Sequence, residues 1–232
     1  MRFLCVDTSE GTALALVDVS QTATVLARYN SGDGRRQAED LSAAIGQMVR
    51  KALGRALADS DIDAVVVGTG PASFTGLRAG IVSARVIAAA LGIPAYGISS
   101  LQIWARSALD KIAVDTVTVA TDAKRKEIFV GQYQADGADD VATVWGPEVG
   151  VPESFTNRLG GAVAVGSALA LYPRELSEGR DGLGEQVDAA VLARIAKARL
   201  SSGTEMSLEP IYLRRPDIHP GVLKKLQNVA TA

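Results

Sequence analysis

The sequence predicts an α/β protein in which a mainly parallel sheet carries an antiparallel hairpin at one edge. A short, fully apolar run rich in valine, residues 64–68, is typical of a central strand buried on both faces. A glycine- and proline-containing loop ends this strand and leads into an unbroken helical segment, residues 77–91. The first half reads as three strands, helix, strand, helix, strand and helix, which is the order expected of such a sheet flanked by helices.

The first half divides into elements bounded by turn residues. Strands are predicted at 3–6, 13–17, 24–29, 64–68 and 95–98, and helices at about 36–58, 77–91 and 99–109. Thr75 is the predicted N-cap of the 77–91 helix. The 36–58 helix is indicated by an apolar stripe at helical spacing, formed by Leu41, Ile45, Met48, Ala52 and Leu53.

The second half resembles a shortened copy of the first. Strands are predicted at 116–121, 127–134, 143–145 and 162–165, a short helix at 152–158, a loop at 173–184 and a last helix at about 186–200. The last helix has an inner face of Val187, Val191, Leu192 and Ile195. We therefore expect two lobes, residues 1–110 and a smaller 111–232.

Composition indicates an ordinary globular chain. It has 232 residues, of which 47% are hydrophobic and 22% charged, and a formal net charge of -2. This balance gives no indication of binding to nucleic acid or to an acidic membrane surface. The single cysteine, Cys5, cannot form an internal disulfide and reads as a small core residue. Without a signal-peptide pattern or an apolar run near the ~20 residues of a membrane span, we expect a soluble, cytoplasmic protein.

The loop after the 64–68 strand is a candidate anion site. It places backbone N–H groups beside the positive end of a helix dipole. The alternative is a tight turn whose hydroxyls only cap the helix, and the residues leave both possibilities open. Gly76 is followed by Leu77 rather than lysine, which excludes a Walker A loop, and Ser73 stands where a Rossmann loop needs its third glycine. The candidate residues are Gly70, Ser73, Thr75, Gly76 and Arg78.

The sequence gives little basis for a metal site or an activated nucleophile. The single histidine, His219, lies beside Pro220 near the C-terminus, and no two imidazoles or thiolates stand at ligand spacing. The serines and threonines of the loop have no histidine nearby to activate them. We expect no bound metal and no cofactor.

Seven segments spread along the whole chain form a recognisable set of motifs: Val6–Ser9, Ser60–Asp63, Gly70–Gly80, Leu91–Pro94, Gly97–Leu101, Asp122–Phe129 and Pro210–Arg214. They resemble the motifs of the TsaB (YeaZ) family, bacterial proteins of the tRNA threonylcarbamoyladenosine (t6A) pathway. The match is loose over residues 135–205. The resemblance implies an actin-like ATPase fold, also called ASKHA or sugar kinase/Hsp70, built from two βββαβα-type lobes of which the second is degraded.

The resemblance also implies a function. It suggests a non-catalytic subunit that binds a TsaD-like catalytic protein as a heterodimer and, through it, a TsaE-like ATPase. Alone the chain would form a homodimer, and it would meet tRNA only through the complex. The nucleotide cleft of the fold is expected to be vestigial, because Glu10 would repel phosphate. The residues of that cleft would be Asp7, Thr8, Ser9 and Asp122, the two aspartates facing one another.

The 77–91 helix is apolar almost all round, so it should be covered on two sides. One side can pack on the sheet, while the other presents small residues to a partner. The alternative is that the 36–58 helix covers this second side within the monomer. In the family the two helices together form the contact, which gives Leu41, Ile45, Met48, Ala79, Ser83, Val86 and Ala90 as interface residues.

Two enzymatic alternatives stay open. An actin-like small-molecule kinase or ATPase would use Asp7, Asp122 and the glycine-rich loop, and it would bind ATP as an isolated chain. A glycopeptidase of the M22 type is the weaker alternative, since the sequence shows no metal ligands at suitable spacing.

Overall fold

The computed structural model describes residues 1–20, 22–31, 37–159, 161–176 and 186–214. They form two β-sheets with helices packed against them. The first sheet has five strands in the order β3-β2-β1-β4-β5, of which β1, β4 and β5 are parallel and β2 and β3 antiparallel. The predicted hairpin edge on a parallel sheet is confirmed. The strands are β1 Arg2–Asp7, β2 Thr12–Asp18, β3 Thr24–Ser31, β4 Ala64–Gly68 and β5 Ala95–Ile98.

Among the described residues, three helices pack on the first sheet, α1 Gln37–Leu53, α2 Phe74–Leu91 and α4 Ala190–Ser202, while α3 Ser100–Leu109 packs on the second sheet. The alternation of side chains along β1 sends Leu4 toward α1 and α2, and Cys5 toward α3 and α4. Both faces of β1 are fully buried. This is why the central strands read as continuous apolar runs rather than as alternating ones.

The second sheet repeats the first in shortened form. Its order, β8-β7-β6-β9 with β6 and β9 parallel, matches β3-β2-β1-β4. A strand equivalent to β5 is not present among the described residues. The actin-like fold with a degraded second lobe is therefore confirmed. The strands are β6 Thr116–Lys124, β7 Glu127–Asp136, β8 Asp140–Gly150 and β9 Val163–Val165.

Several predicted boundaries are corrected. Helix α1 ends at Leu53, because Gly54 takes a φ of 69° and a short 3-10 turn follows, so the predicted extension to residue 58 is wrong. Helix α2 begins at Phe74 with Ser73 at its N-cap, which moves Thr75 from the cap into the first turn. Helix α4 begins at Ala190 rather than 186.

Strand β8 is much longer than the predicted 143–145, and two 3-10 turns replace the predicted helix at 152–158. The predicted loop at 173–184 lies mostly outside the described residues, as does His219.

The end of the described chain returns to the first sheet. Helix α4 packs on β1, β2 and β4. After it the chain runs along the edge of β5, where the Gly97 N–H donates to the Met206 carbonyl at 3.2 Å. The Ile211 N–H then donates to the Thr69 carbonyl at 2.9 Å. Residues 187–214 therefore pack on the first sheet and also contact the second lobe, through α4 with β8 and Arg214 with Glu127. The lobe boundary at 110/111 stays a prediction.

The close approach of Ser207 to Gly97 allows a test of how the C-terminal segment packs along β5. A Cβ at Gly97 would overlap the Ser207 carbonyl oxygen and lie 2.6 Å from Thr69 Cγ2. Because moving the Ser207 backbone away from the new Cβ costs free energy, we expect Gly97→Ala to lower the free energy of unfolding by about 1–3 kcal/mol. Gly46→Ala, in α1 with no atom within 4 Å of the new Cβ, is the matched control and should raise it by about 0.5–1 kcal/mol. Urea unfolding measures both, and equal stability of the two variants would contradict the packing.

Candidate functional site

A cleft of about 560 Å³ opens between the two lobes. One wall of the cleft is formed by the first lobe, through the β1–β2 turn and the N-terminus of α2. The second lobe forms the opposite wall, through the β6–β7 turn and the residues that follow β9. The C-terminal segment closes a third side. The lining residues that matter here are Ser9, Glu10, Ser73, Phe74, Asp122, Lys124, Arg125, Phe129, Ser167, Leu171, Tyr212 and Arg214.

Asp7 does not line this cleft, so the prediction that Asp7 and Asp122 face one another is wrong. The Asp7 side chain is 1% exposed, and its Oδ2 accepts a hydrogen bond from Ser100 Oγ at 2.6 Å. Its Oδ1 accepts from the Ser9 N–H at 2.9 Å and from Ser9 Oγ at 2.5 Å. Burial raises the pKa of Asp7, while these hydrogen bonds oppose the shift. A Cβ at Gly68 would overlap the Asp7 carboxylate, which shows how tightly it is enclosed.

Hydrogen bonds tie the glycine-rich loop to its neighbours. The Ser100 N–H donates to the Gly70 carbonyl at 2.7 Å, and Ser100 Oγ accepts from the Gly70 N–H at 3.1 Å. Thr8 Oγ1 donates to the Gly76 carbonyl at 2.7 Å, and a Cβ at Gly80 would overlap that hydroxyl. Thr8, Gly70 and Gly76 therefore use these polar groups to position the loop and the start of α2.

Arg78 stacks on aromatic rings. Its guanidinium carbon lies 3.9 Å from the centroid of the Phe74 ring, and its Nε donates to the Tyr212 hydroxyl at 3.0 Å. The Phe74 and Tyr212 rings are 5.2 Å apart. Ser73 lines the cleft, whereas Thr75 and Arg78 are not among the lining residues. Of the residues predicted to form the anion site, only Ser73 lines the cleft. The stacking of Arg78 on Phe74 could have been predicted from the sequence, because residues at i and i+4 of a helix are neighbours.

Side-chain contacts connect the lobes across the cleft. Glu10 accepts a hydrogen bond from Ser167 Oγ, and burial raises the pKa of Glu10. Arg214 pairs with Glu127 and donates to the Ala123 carbonyl. From the sequence, Glu10 was predicted only to repel phosphate. Its contact with Ser167 could not be predicted, because the two residues are 157 positions apart and leave no local pattern.

The β6–β7 turn forms the wall opposite α2. Lys124, Arg125 and Lys126 all have positive φ, between 56° and 62°, a conformation that costs such residues free energy. Lys124 Nζ lies 2.6 Å from Asp122 Oδ2, and this contact raises the pKa of Lys124. Across the described ranges, His, Cys, Asp and Glu side chains form no group of three or more that could hold a metal ion.

Helix α2 has one buried and one exposed face. Leu77, Ile81, Ala84 and Ala88 are buried against the sheet and α1. On the opposite side Val82 is 55% and Val86 62% exposed, next to exposed Ala89 and Ala90. Ala79 and Ser83 are half-buried at the margin of this face. Helix α1 packs beside α2 but leaves the two valines open, contrary to the alternative that it covers them.

The α1 residues of the predicted interface lie in the core. Leu41 is 1%, Ile45 0% and Met48 6% exposed, and they pack on the first sheet within the same cluster as Leu77. They offer almost no surface to a partner, so their place in the predicted interface is corrected. The apolar stripe on α1 was a core face.

By length and composition, α2 could cross a membrane, and it is the single helix of this kind among the described residues. The expectation that no apolar run approaches the length of a membrane span is corrected by this helix of 18 residues. The same test is passed by core helices of soluble proteins, and one face of α2 is packed against β4.

Comparison with known proteins gives the family. A family model described as "TsaD: tRNA N6-adenosine threonylcarbamoyltransferase" matches residues 35–154. The chain is 34% identical over 220 residues to an uncharacterized protein of Mycobacterium tuberculosis H37Rv, covering 94% of this chain and 93% of that protein. It is 32% identical over 167 residues to the tRNA threonylcarbamoyladenosine biosynthesis protein TsaB of Escherichia coli K12, covering 67% of this chain and 72% of TsaB.

A solved structure supports the same assignment. YeaZ from Pseudomonas aeruginosa superposes with a TM-score of 0.76 at 25% identity, covering 91% of this chain and 99% of YeaZ. A second Pseudomonas aeruginosa structure, described as an uncharacterized protein with similarity to peptidase YEAZ, gives a TM-score of 0.75 at 25% identity and covers 92% of this chain and 99% of that one. The chain therefore belongs to the TsaB (YeaZ) family of tRNA threonylcarbamoyladenosine biosynthesis proteins.

Proposed function

We propose that this chain is the non-catalytic subunit of a t6A-forming complex and that the exposed face of α2 binds a TsaD-like catalytic subunit. The partner would transfer the threonylcarbamoyl group to A37 of tRNA. The observation that carries the proposal is the pair of exposed valines, Val82 and Val86, on a helix whose other face is core.

The chemistry of this face suits a protein partner. A helix that is apolar on two sides is normally covered on both. Burying a valine side chain fully contributes about 1.5–3 kcal/mol, and the neighbouring Ala89 and Ala90 allow a second helix to approach closely. Beside the valines, the Nη2 atom of Arg85 lies 3.5 Å from Glu209 Oε1 and donates a hydrogen bond to the Leu208 carbonyl. The face thus has the apolar centre and polar rim of a protein interface.

The proposal extends to the other partners. A TsaE-like ATPase would join through the TsaD-like subunit, and tRNA would be bound by the complex rather than by this chain alone. Without its partner the chain would pair with a second copy through the same face of α2. These steps would take place in the cytoplasm, with residues 1–110 and 111–232 acting together as a scaffold.

A second candidate function is that of an actin-like kinase or ATPase. It is favoured by the cleft of about 560 Å³ with the N-terminus of α2 in its wall. Against it, the carboxylates of Glu10 and Asp122 line the same cleft, and Asp7 is enclosed elsewhere. Two of the cations that line the cleft are already paired, Lys124 with Asp122 and Arg214 with Glu127, and Glu10 would repel the phosphates of a nucleotide. A peptidase is less favoured, because Ser9 and Ser167 donate their hydroxyls to carboxylates.

The α2 face is tested by Val86→Glu. In the free protein the new carboxylate stands in water, whereas in the complex it is desolvated without a counter-ion, at a cost of several kcal/mol. We expect the variant to stay folded but monomeric, and to bind the TsaD-like protein of the same genome at least about a hundredfold more weakly. Circular dichroism and size-exclusion chromatography with the partner measure both effects.

Val144→Glu is the matched control, because Val144 is 48% exposed on β8, and it should bind normally. A Val86→Glu chain that unfolds would place this face in the core. A folded variant that still assembles would place the interface elsewhere.

The cleft is tested by titration with ATP and Mg²⁺. With Glu10 and Asp122 in place, we expect the isolated chain to bind ATP more weakly than about 1 mM by isothermal calorimetry. Glu10→Gln removes one negative charge and should bind no less tightly than the wild type. Micromolar affinity of the wild-type chain would favour the kinase instead.

A further inference from the structure

Strand β3 forms an open edge of the first sheet. Within the described part of the chain it pairs only with β2, through seven of its eight residues; Leu26 lies at a register irregularity opposite Leu16 and Val17. Alternate N–H and C=O groups of an antiparallel edge strand point away from its neighbour. They can therefore accept a further strand from another chain.

A groove of about 420 Å³ lies between this edge and α1. Its floor contains the buried Met48 and Ala44, while Leu26 and Tyr29 are 38% and 37% exposed at its side. These two large apolar side chains are exposed on an edge strand whose one charged residue, Arg28, is engaged with Asp188. The full lining is Leu26, Ala27, Arg28, Tyr29, Ala44, Gln47, Met48, Lys51 and Ala52.

The charge of the groove is one-sided. Its lining includes the cations Arg28 and Lys51 and no acidic residue. Arg28 is engaged with Asp188 through two hydrogen bonds of 3.2 Å, whereas Lys51 is exposed on the rim. A segment in this groove would meet apolar surface below and positive charge above.

We propose that this groove binds an extended segment of a partner protein, which adds to β3 as a further strand. The segment would place an apolar side chain against Leu26 and Tyr29 and an acidic one near Lys51. Strand addition in a groove between an edge strand and a helix is the mode that PDZ domains use, in which main-chain bonds supply affinity and side-chain pockets specificity. The residues differ from those of the α2 face, so this site is independent of the proposed function.

A second copy of the chain fits the groove less well. Pairing two β3 edges about a two-fold axis would bring the two copies of Lys51 toward one another, whereas Arg28 is already paired with Asp188. Like charges in contact disfavour such an interface. A peptide with acidic residues avoids this repulsion.

Selection from a library of displayed random peptides, about as long as the eight-residue β3, tests the proposal on the full chain. We expect enrichment of sequences that alternate apolar residues with Asp or Glu. An enriched peptide, made synthetically and fluorescently labelled, should bind Lys51→Glu at least about tenfold more weakly than the wild type. Lys111→Glu, an exposed lysine outside the groove, is the control and should bind normally.

Hydrogen exchange locates the binding. We expect the synthetic peptide to slow exchange of β3 amides, and Leu26→Asp, on an exposed edge position, to abolish binding without a lower melting temperature. Failure to enrich acidic sequences, or equal binding by Lys51→Glu and wild type, would overturn the proposal. The proposal would also be overturned if the free chain forms a dimer that dissociates in the Leu26→Asp variant, because the β3 edge would then bind a second copy of the chain.

Discussion

The buried carboxylate of Asp7 is the interaction on which the carboxyl end of the first sheet depends. A charge removed from water costs several kcal/mol unless hydrogen bonds replace its hydration. Asp7 receives three, two from Ser9 and one from Ser100. Its enclosure also requires Gly68, where any side chain would overlap the carboxylate. Since Ser100 also exchanges two hydrogen bonds with Gly70, the same cluster fixes the loop that leads into α2.

The direction of α2 follows from this anchoring. The hydroxyl of Thr8 holds the first turn through Gly76, and the absence of a side chain at Gly80 lets the helix lie against it. Leu77 then enters the core and sets the rotation of the helix about its axis. Val82 and Val86 necessarily fall on the outside. A polar cluster inside the lobe thus determines which residues the proposed partner meets.

Local patterns predicted most of the fold. The valine run of β4 and the glycine and proline after it identify the central βα unit, because a buried parallel strand needs apolar residues on both faces. Edge strand β8 extends beyond the predicted 143–145 and runs through Gly146 and Pro147, because an edge strand tolerates proline.

Prediction of the site was less complete. An apolar stripe reveals that α1 has a covered face but not what covers it, so Leu41, Ile45 and Met48 were assigned to an interface instead of the core. Asp7 and Asp122 both lie near strand ends, but the sequence does not tell which way each side chain points. Contacts between distant segments, such as Glu10 with Ser167, depend on how the lobes meet.

Photo-crosslinking tests most directly whether α2 carries the partner surface. A photoreactive amino acid would replace Val86 in one variant and Val144, an exposed valine on β8, in another. Each would be irradiated with the TsaD-like protein of the same genome. We expect a covalent adduct from position 86 and none from position 144. An adduct from position 144 alone, or from neither position although the two proteins co-elute, would contradict the proposed role of α2.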